Sequence, residues 1–139
     1  MLLEVVIEVP RFGFVKRDGS GRVAFVSPLP SPFNYGSVPE TRAPDGAEID
    51  AIVLGPRLPR GTRVRLPARA QALFVDEGVE DTKWICAGAP LSQLDRARID
   101  AFFRVYSLWK RALARVRRRP GAIRYDGMRS VEPTTDSPA

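Results

Sequence analysis

Ala70-Gln71-Ala72-Leu73-Phe74-Val75, then Asp76-Glu77-Gly78-Val79-Glu80-Asp81, then Thr82-Lys83-Trp84-Ile85-Cys86-Ala87: this stretch decides the fold class. The outer segments are short and mostly apolar, as strands are. The acidic middle contains Gly78, as a hairpin loop does. Moving outward, Leu2 to Val9 is β-branched and apolar, and Arg22 to Val26 follows the turn signal Asp18-Gly19-Ser20-Gly21. Ala51 to Leu54 and Thr62 to Leu66 complete the strand set. Between Pro28 and Pro44, proline, glycine and asparagine recur, so an ordered loop is expected there rather than a sheet element. Pro56 to Gly61 is a second turn-rich connection.

Past the hairpin the period changes. Ser92 and Asp95 form an approximate capping box. Ile99, Phe102, Tyr106, Trp109, Leu113 and Val116 then recur at three- and four-residue steps, one face of a helix. Arg96, Arg104, Arg111 and Arg115 occupy the polar face, and Pro120 and Gly121 stop the helix. Short strands followed by one long helix give a mainly β fold with α. The expected form is an OB-like closed five-stranded β-barrel with a long C-terminal helix packed on it. Residues 1–120 are expected to form this domain and 121–139 a tail, disordered from about Ser130 to Ala139.

Composition narrows the chemistry. The chain has 139 residues, of which 44% are hydrophobic, enough for one core without disulfide or metal staples. No run approaches the roughly 18 to 20 apolar residues of a transmembrane helix. Met1-Leu2-Leu3-Glu4-Val5-Val6 lacks a basic leader, so a cytoplasmic location is expected. The lone Cys86 lies in an apolar run and reads as a small buried hydrophobe. Histidine is absent, which excludes histidine-assisted serine or cysteine hydrolases and most catalytic zinc sites. Acid–base work would fall to carboxylates, lysine, tyrosine or water on a metal. A net charge of +6 suits an anionic partner. Lysine occurs only at Lys16, Lys83 and Lys110, however, so the charge is nearly all arginine, and much of it equally suits a solvated surface.

Two acidic clusters stand out: Asp45-Gly46-Ala47-Glu48-Ile49-Asp50 and Asp76-Glu77-Gly78-Val79-Glu80-Asp81, with Lys83 following and Glu8 ending the first strand. Converging carboxylates repel one another unless cations neutralise them. Such oxygen ligands suit magnesium, manganese or calcium. Taken singly, each cluster equally fits a solvated turn, and Glu8 a salt bridge.

Read together and in order, Ile7-Glu8-Val9-Pro10, Pro32-Phe33-Asn34-Tyr35-Gly36, the two acidic clusters and Phe102-Phe103-Arg104-Val105-Tyr106 resemble the soluble inorganic pyrophosphatases built on an OB-type barrel. The resemblance runs from about Val5 to Leu113. It implies Mg²⁺ held by aspartates and hydrolysis of pyrophosphate or another small phosphoanhydride. Asp45, Asp50, Asp76 and Asp81 match metal ligands, and Glu8 a carboxylate at the edge of the metal site. Lys83, Tyr35 and Tyr106 match phosphate-side groups, with Asp50, Lys83 and Tyr35 closest to the chemistry. Tyr106 also lies on the apolar stripe and equally fits packing. A homo-oligomer is implied by resemblance alone.

The chain departs from the family pattern at several points. Ala47 stands where a third aspartate, general base to the attacking water, is expected. Gly13-Phe14-Val15 replaces a charged segment, Ser27 an arginine, Ser31 a tyrosine and Ser107 a lysine. Loss of a general base costs about 10² to 10⁴ in rate. Arg11, Arg17, Arg22 and Arg42 are the cations available to compensate. Three functions therefore compete: a magnesium-dependent diphosphatase of reduced activity, a degenerate non-catalytic relative, and an OB module binding nucleic acid through Arg115-Val116-Arg117-Arg118-Arg119. The strands lack a clear aromatic platform for the last, so nucleic acid is not the expected partner.

Overall fold

The computed structural model describes residues 2–13, 15–17, 23–26, 31–44, 46–118 and 121–131. The elements in chain order are β1 (Leu2–Val9), β2 (Val15–Arg17), β3 (Val23–Val26), β4 (Asn34–Val38), β5 (Ile49–Val53), β6 (Arg63–Asp76), β7 (Val79–Glu80), β8 (Lys83–Cys86), α1 (Gln93–Arg117) and β9 (Arg124–Ser130). β1 pairs with β4, β4 with β5, β5 with β8, β8 with β6, and β6 again with β1. These five strands close a ring, as the OB-like expectation required. β7 and β9 add to β6 outside the ring, and β2 and β3 form a separate ribbon.

Three expectations are corrected. The Pro28–Pro44 segment is not all loop, because β4 sits centrally between β1 and β5. Its unusual composition has a physical cause. A Cβ on Gly36 would lie 2.0 Å from the Val6 carbonyl oxygen, so only glycine allows the two backbones to approach. The two strands expected at Thr62–Leu66 and Ala70–Val75 are one. Pro67 falls where β6 leaves β1 and takes up β8, so its missing N–H interrupts neither ladder. The tail expected from residue 121 begins instead with β9, which pairs with β6 through Ile123's neighbour Arg124 to Ser130 and so carries the fold past residue 120. Residues 132–139 lie outside the described residues.

The two sides of the sheet are packed differently. Val5, Ile7, Val38, Ala51, Val53 and Cys86 make one aliphatic cluster. Ile52, Ala70, Ala72, Phe74 and Ile85 face the other way and meet Ile99 and Phe103 of α1. The alternation Ala51, Ile52, Val53 across both clusters is the period of two of a strand. Cys86 is fully buried, and burial pushes its thiol up to about 11, so it is a packed hydrophobe.

The capping box at Ser92 and Asp95 is present, with both reciprocal bonds at 3.0 Å. The helix is rolled relative to the expected stripe. Its buried residues are Ile99, Phe103 and Ser107, whereas Phe102 and Tyr106 are half-buried and Val116 is 80% exposed. Phe103 is central because Phe74 and Tyr125 take it from two sides, at 6.3 and 5.6 Å between ring centroids. Tyr125 belongs to β9, the strand the sequence pattern did not suggest. The helix ends at Arg118 in the left-handed region, φ 53°, before Pro120, which lies outside the described residues. Among the described residues no helix is long and apolar enough to cross a membrane.

Candidate active site

The site assembles from register. β5 and β8 run parallel with Ala51 opposite Trp84, which sets Asp50 beside Lys83. Asp81 lies two residues before Lys83 and therefore on the same side of the extended chain. The Lys83 ammonium donates to Asp50 Oδ2 and to Asp81 Oδ2, each at 2.7 Å. Lys83 is only 3% exposed. Its Nζ lies 5.9 Å from the ring centre of Tyr35 and 6.0 Å from that of Phe74. Tyr35 arrives from β4, where it pairs with Ile52, two residues from Asp50 on the same face. Tyr106 reaches the group from α1, its ring 5.5 Å from that of Phe74.

Electrostatics follow from this packing. Burial raises the Tyr35 hydroxyl well above its ordinary value, although the Lys83 charge pulls the other way. Burial alone would lower the Lys83 ammonium. The opposing influence of Tyr35, Asp50, Asp81 and Tyr106 wins and holds it well above its ordinary value. At neutral pH the group thus holds a protonated phenol beside a fixed ammonium.

The other expected ligands are placed elsewhere. Ala72, Phe74 and Asp76 share one face of β6, and Tyr106 and Lys110 lie one helical turn apart. Tyr106 meets Phe74, and one step further along Lys110 Nζ meets Asp76 Oδ2 at 2.9 Å. Glu8 sits at a register shift in β1, opposite β4. There the buried Ser37 hydroxyl lies 3.0 Å from Glu8 Oε2 and 3.2 Å from Glu48 Oε1. Glu48 also accepts from the Glu40 N–H at 3.2 Å. Asp45 lies outside the described residues. Among the described residues no group of three or more carboxylates is close enough to hold a metal.

Asp50 and Asp81 nonetheless fit a hard cation in part. Their oxygens share one ammonium, so they lie no more than twice 2.7 Å apart, and two carboxylates exceed the single charge of Lys83. Asp45, five residues before Asp50 in sequence, is the remaining expected ligand and lies outside the described residues.

Two residues that hold the site had not been singled out. Asn34 is fully buried, and its Oδ1 accepts from the Arg11 and Leu58 backbone N–H groups, both at 2.9 Å. Its amide donates to the carbonyls of Val53 and Pro56. It thereby ties two loops to the strand that carries Tyr35. The other is Lys110, which meets Asp76 across the packing of α1 on β6, a contact that no local spacing marks. Of the compensating arginines, Arg11 donates to the Gly55 carbonyl at 3.1 Å and Arg42 is exposed. The side chains of Arg17 and Arg22, and Ser27, lie outside the described residues. Ser107 is buried and its hydroxyl donates to the Arg104 carbonyl at 2.9 Å, a bond within its own helix.

The fold and site together are a closed β-ring backed by a helix, with an ammonium clasped by two aspartates and flanked by the rings of Tyr35 and Phe74. The model of the inorganic pyrophosphatase family matches residues 5–120, and the chain belongs to that family. The inorganic pyrophosphatase of Haemophilus influenzae is 34% identical over 97 residues, covering 63% of this chain and 54% of that protein. The chain thus spans about half the length of this curated relative. Among solved structures, the inorganic pyrophosphatase of Thermus thermophilus superposes with a TM-score of 0.70 at 28% identity, over 93% of this chain and 82% of that one. The Helicobacter pylori enzyme gives 0.73 at 24%, over 94% and 85%, which speaks to the fold alone.

Proposed function

We propose that the chain hydrolyses pyrophosphate, or another small phosphoanhydride, with Mg²⁺ as cofactor and at a reduced rate. The observation that carries this reading is the buried Lys83 held between Asp50 and Asp81 and flanked by Tyr35. Asp50 and Asp81, with Asp45, are the residues that would hold the cation. When bound, Mg²⁺ supplies Lewis acidity toward phosphate oxygens and water.

The chain's own groups act on the anion. Lys83 presents a fixed positive charge in a poorly hydrated setting, where it stabilises developing charge on a phosphate oxygen more than it would in water. Tyr35 stays protonated through neutral pH and donates a hydrogen bond to the same anion. Tyr106 closes the aromatic side of the site. Ala47 offers no carboxylate to orient the attacking water or take its proton, and Ser107 no cation. Both absences support a slow enzyme. Asp76, paired with Lys110, and Glu8, near Ser37, are proposed as outlying carboxylates that join the site when metal and substrate are present. The family further supports assembly into a homo-oligomer and a cytoplasmic location.

The second reading is a non-catalytic family member, favoured by the lack of a three-carboxylate group among the described residues. A phosphate-release assay on pyrophosphate with and without Mg²⁺ separates the two. Magnesium-dependent release is expected, whereas no release above the uncatalysed rate would leave the second reading. By calorimetry, Asp81→Asn should weaken Mg²⁺ binding, and equal affinity would remove Asp81 from the ligand set.

A further inference from the structure

We infer that Lys83 is the resident cation of the carboxylate site, competing with divalent metal for Asp50 and Asp81 until an anionic ligand draws it away. The inference rests on the reading of this site as metal-dependent. It goes further in giving Lys83 a role before substrate arrives.

Three observations carry it. The Lys83 ammonium occupies the same oxygens, Asp50 Oδ2 and Asp81 Oδ2, that a cation would need, each at 2.7 Å. The stem of the side chain is buried, and its head has the rings of Tyr35 and Phe74 around it, so the charge is held at the site rather than in solvent. A more open pair serves as the contrast. Lys110 and Asp76 meet at 2.9 Å with side chains 22% and 25% exposed, against 4% for Lys83. Water can take over from Lys110 when Asp76 changes partner, but it cannot easily reach Lys83.

The energetic consequence is coupling. A carboxylate oxygen that accepts from a buried ammonium is a poorer metal donor, because binding the metal strips the ammonium of its partners. A buried ammonium without partners is costly. A phosphate group supplies new ones. Metal and phosphate therefore bind better together than apart, and by linkage each strengthens the other equally. Lys83 is a positioning residue in this respect: it sets the order in which the site fills.

The test uses Mg²⁺ alone, then Mg²⁺ with inorganic phosphate, by titration calorimetry on the full chain. Lys83→Met should bind Mg²⁺ alone about tenfold more tightly than wild type, within the usual range of such couplings. Phosphate should tighten Mg²⁺ binding in wild type and no longer do so in Lys83→Met. Lys110→Met should change Mg²⁺ affinity less than Lys83→Met does. Equal or weaker Mg²⁺ binding by folded Lys83→Met overturns the inference, as does a lack of Mg²⁺ binding by both proteins. Should circular dichroism show Lys83→Met unfolded, lysine Nζ resonances of the wild type decide instead. Only Lys16, Lys83 and Lys110 contribute to that spectrum. Saturating Mg²⁺ with phosphate should shift the Lys83 signal, and an unmoved signal refutes its displacement. Loss of the enzymatic reading is seen separately, as absent phosphate release in an otherwise metal-binding protein.

Discussion

Asn34–Val38 and Gln93–Arg117 both supply walls of the site, and they are held in place by different forces. The helix is fixed by apolar contact: Ile99 and Phe103 are buried, with Phe102 and Tyr106 packed around them. The strand is fixed by close approach and by polar bonds: Gly36 against the Val6 carbonyl, Asn34 between two loops, and Ser37 between two carboxylates. Apolar packing tolerates small shifts, because many weak contacts share the load. Short polar bonds and a glycine contact do not. The strand carries Tyr35 and aligns Asp50, so the wall with the less forgiving construction is the one next to the chemistry.

The largest effect should come from the helix. Phe103→Ala is expected to destabilise the fold by about 3 to 5 kcal/mol in urea unfolding, the usual range for a buried aromatic. Phe102→Ala should cost less, since Phe102 is only half-buried, edge-on to Phe33 at 5.5 Å. Equal losses at the two positions would mean that the helix is rolled toward the stripe its spacing suggests.

On the strand side, Gly36→Ala should cost about 3 kcal/mol, because its methyl group must push two backbones apart. Asn34→Leu should cost about 2 kcal/mol by leaving the Arg11 and Leu58 N–H groups without their acceptor. The two strand variants should also slow phosphate release more than Phe102→Ala does at matched stability. If activity merely tracked stability across all three, the difference between the walls would have no bearing on function.

The contrast also explains what could be read in advance. Helical spacing, the Ser92–Asp95 box and the hairpin around Gly78 are local signals, and all three appear in the fold. The OB-like ring was expected from the general strand-then-helix pattern and the resemblance, although the strand set read from the sequence lacked β4, split β6 in two and included β3, which lies outside the ring. β4 was illegible because its residues are chosen for contacts distant in sequence: Gly36 for Val6, Asn34 for Arg11 and Leu58. A composition scan sees only turn formers there. β9 was hidden by Gly127 at φ 96° in its middle, which breaks the simple alternation of Ile123, Tyr125 and Met128. At the site, Asp50, Asp81, Lys83, Tyr35 and Tyr106 were all named through the resemblance, because each acidic cluster taken singly fits a solvated turn equally well. Lys110 as the partner of Asp76 and Ser37 as the neighbour of Glu8 depend on how helix and sheet dock, which no local pattern encodes.

A smaller effect concerns the pH response of the strand wall. Tyr35 is held protonated by burial, so its folded-state value is raised above that of the unfolded chain, near 10. A raised value means that the folded state keeps its proton longer. The associated stability is fully present below about pH 10 and is lost as pH climbs toward the folded-state value. Lys83 shifts in the same direction and adds to the loss. Thermal unfolding between pH 8 and 11 should therefore show a falling midpoint in wild type and a shallower fall in Tyr35→Phe. Parallel curves would indicate that Tyr35 titrates as it does in the unfolded chain.

The smallest expected effect tests where the helix leaves the barrel. Val116 continues the three-and-four spacing of Ile99, Phe102, Tyr106, Trp109 and Leu113, and on periodicity alone it belongs to the packed face. It is 80% exposed, two residues before the left-handed cap at Arg118. The last anchored turn is further back, where Ala114 packs against the core and the Arg111 Nε–H donates to the Ile123 carbonyl at 2.7 Å. Val116 itself faces away from the core, so an apolar side chain there buries little on folding. Val116→Ser should change stability by less than about 0.5 kcal/mol, as exposed substitutions do. Ala114→Ser, one half-turn earlier and against the core, should cost more. A loss at Val116 as large as that at Ala114 would mean that another surface covers the end of the helix, and the second wall would then extend beyond the single chain.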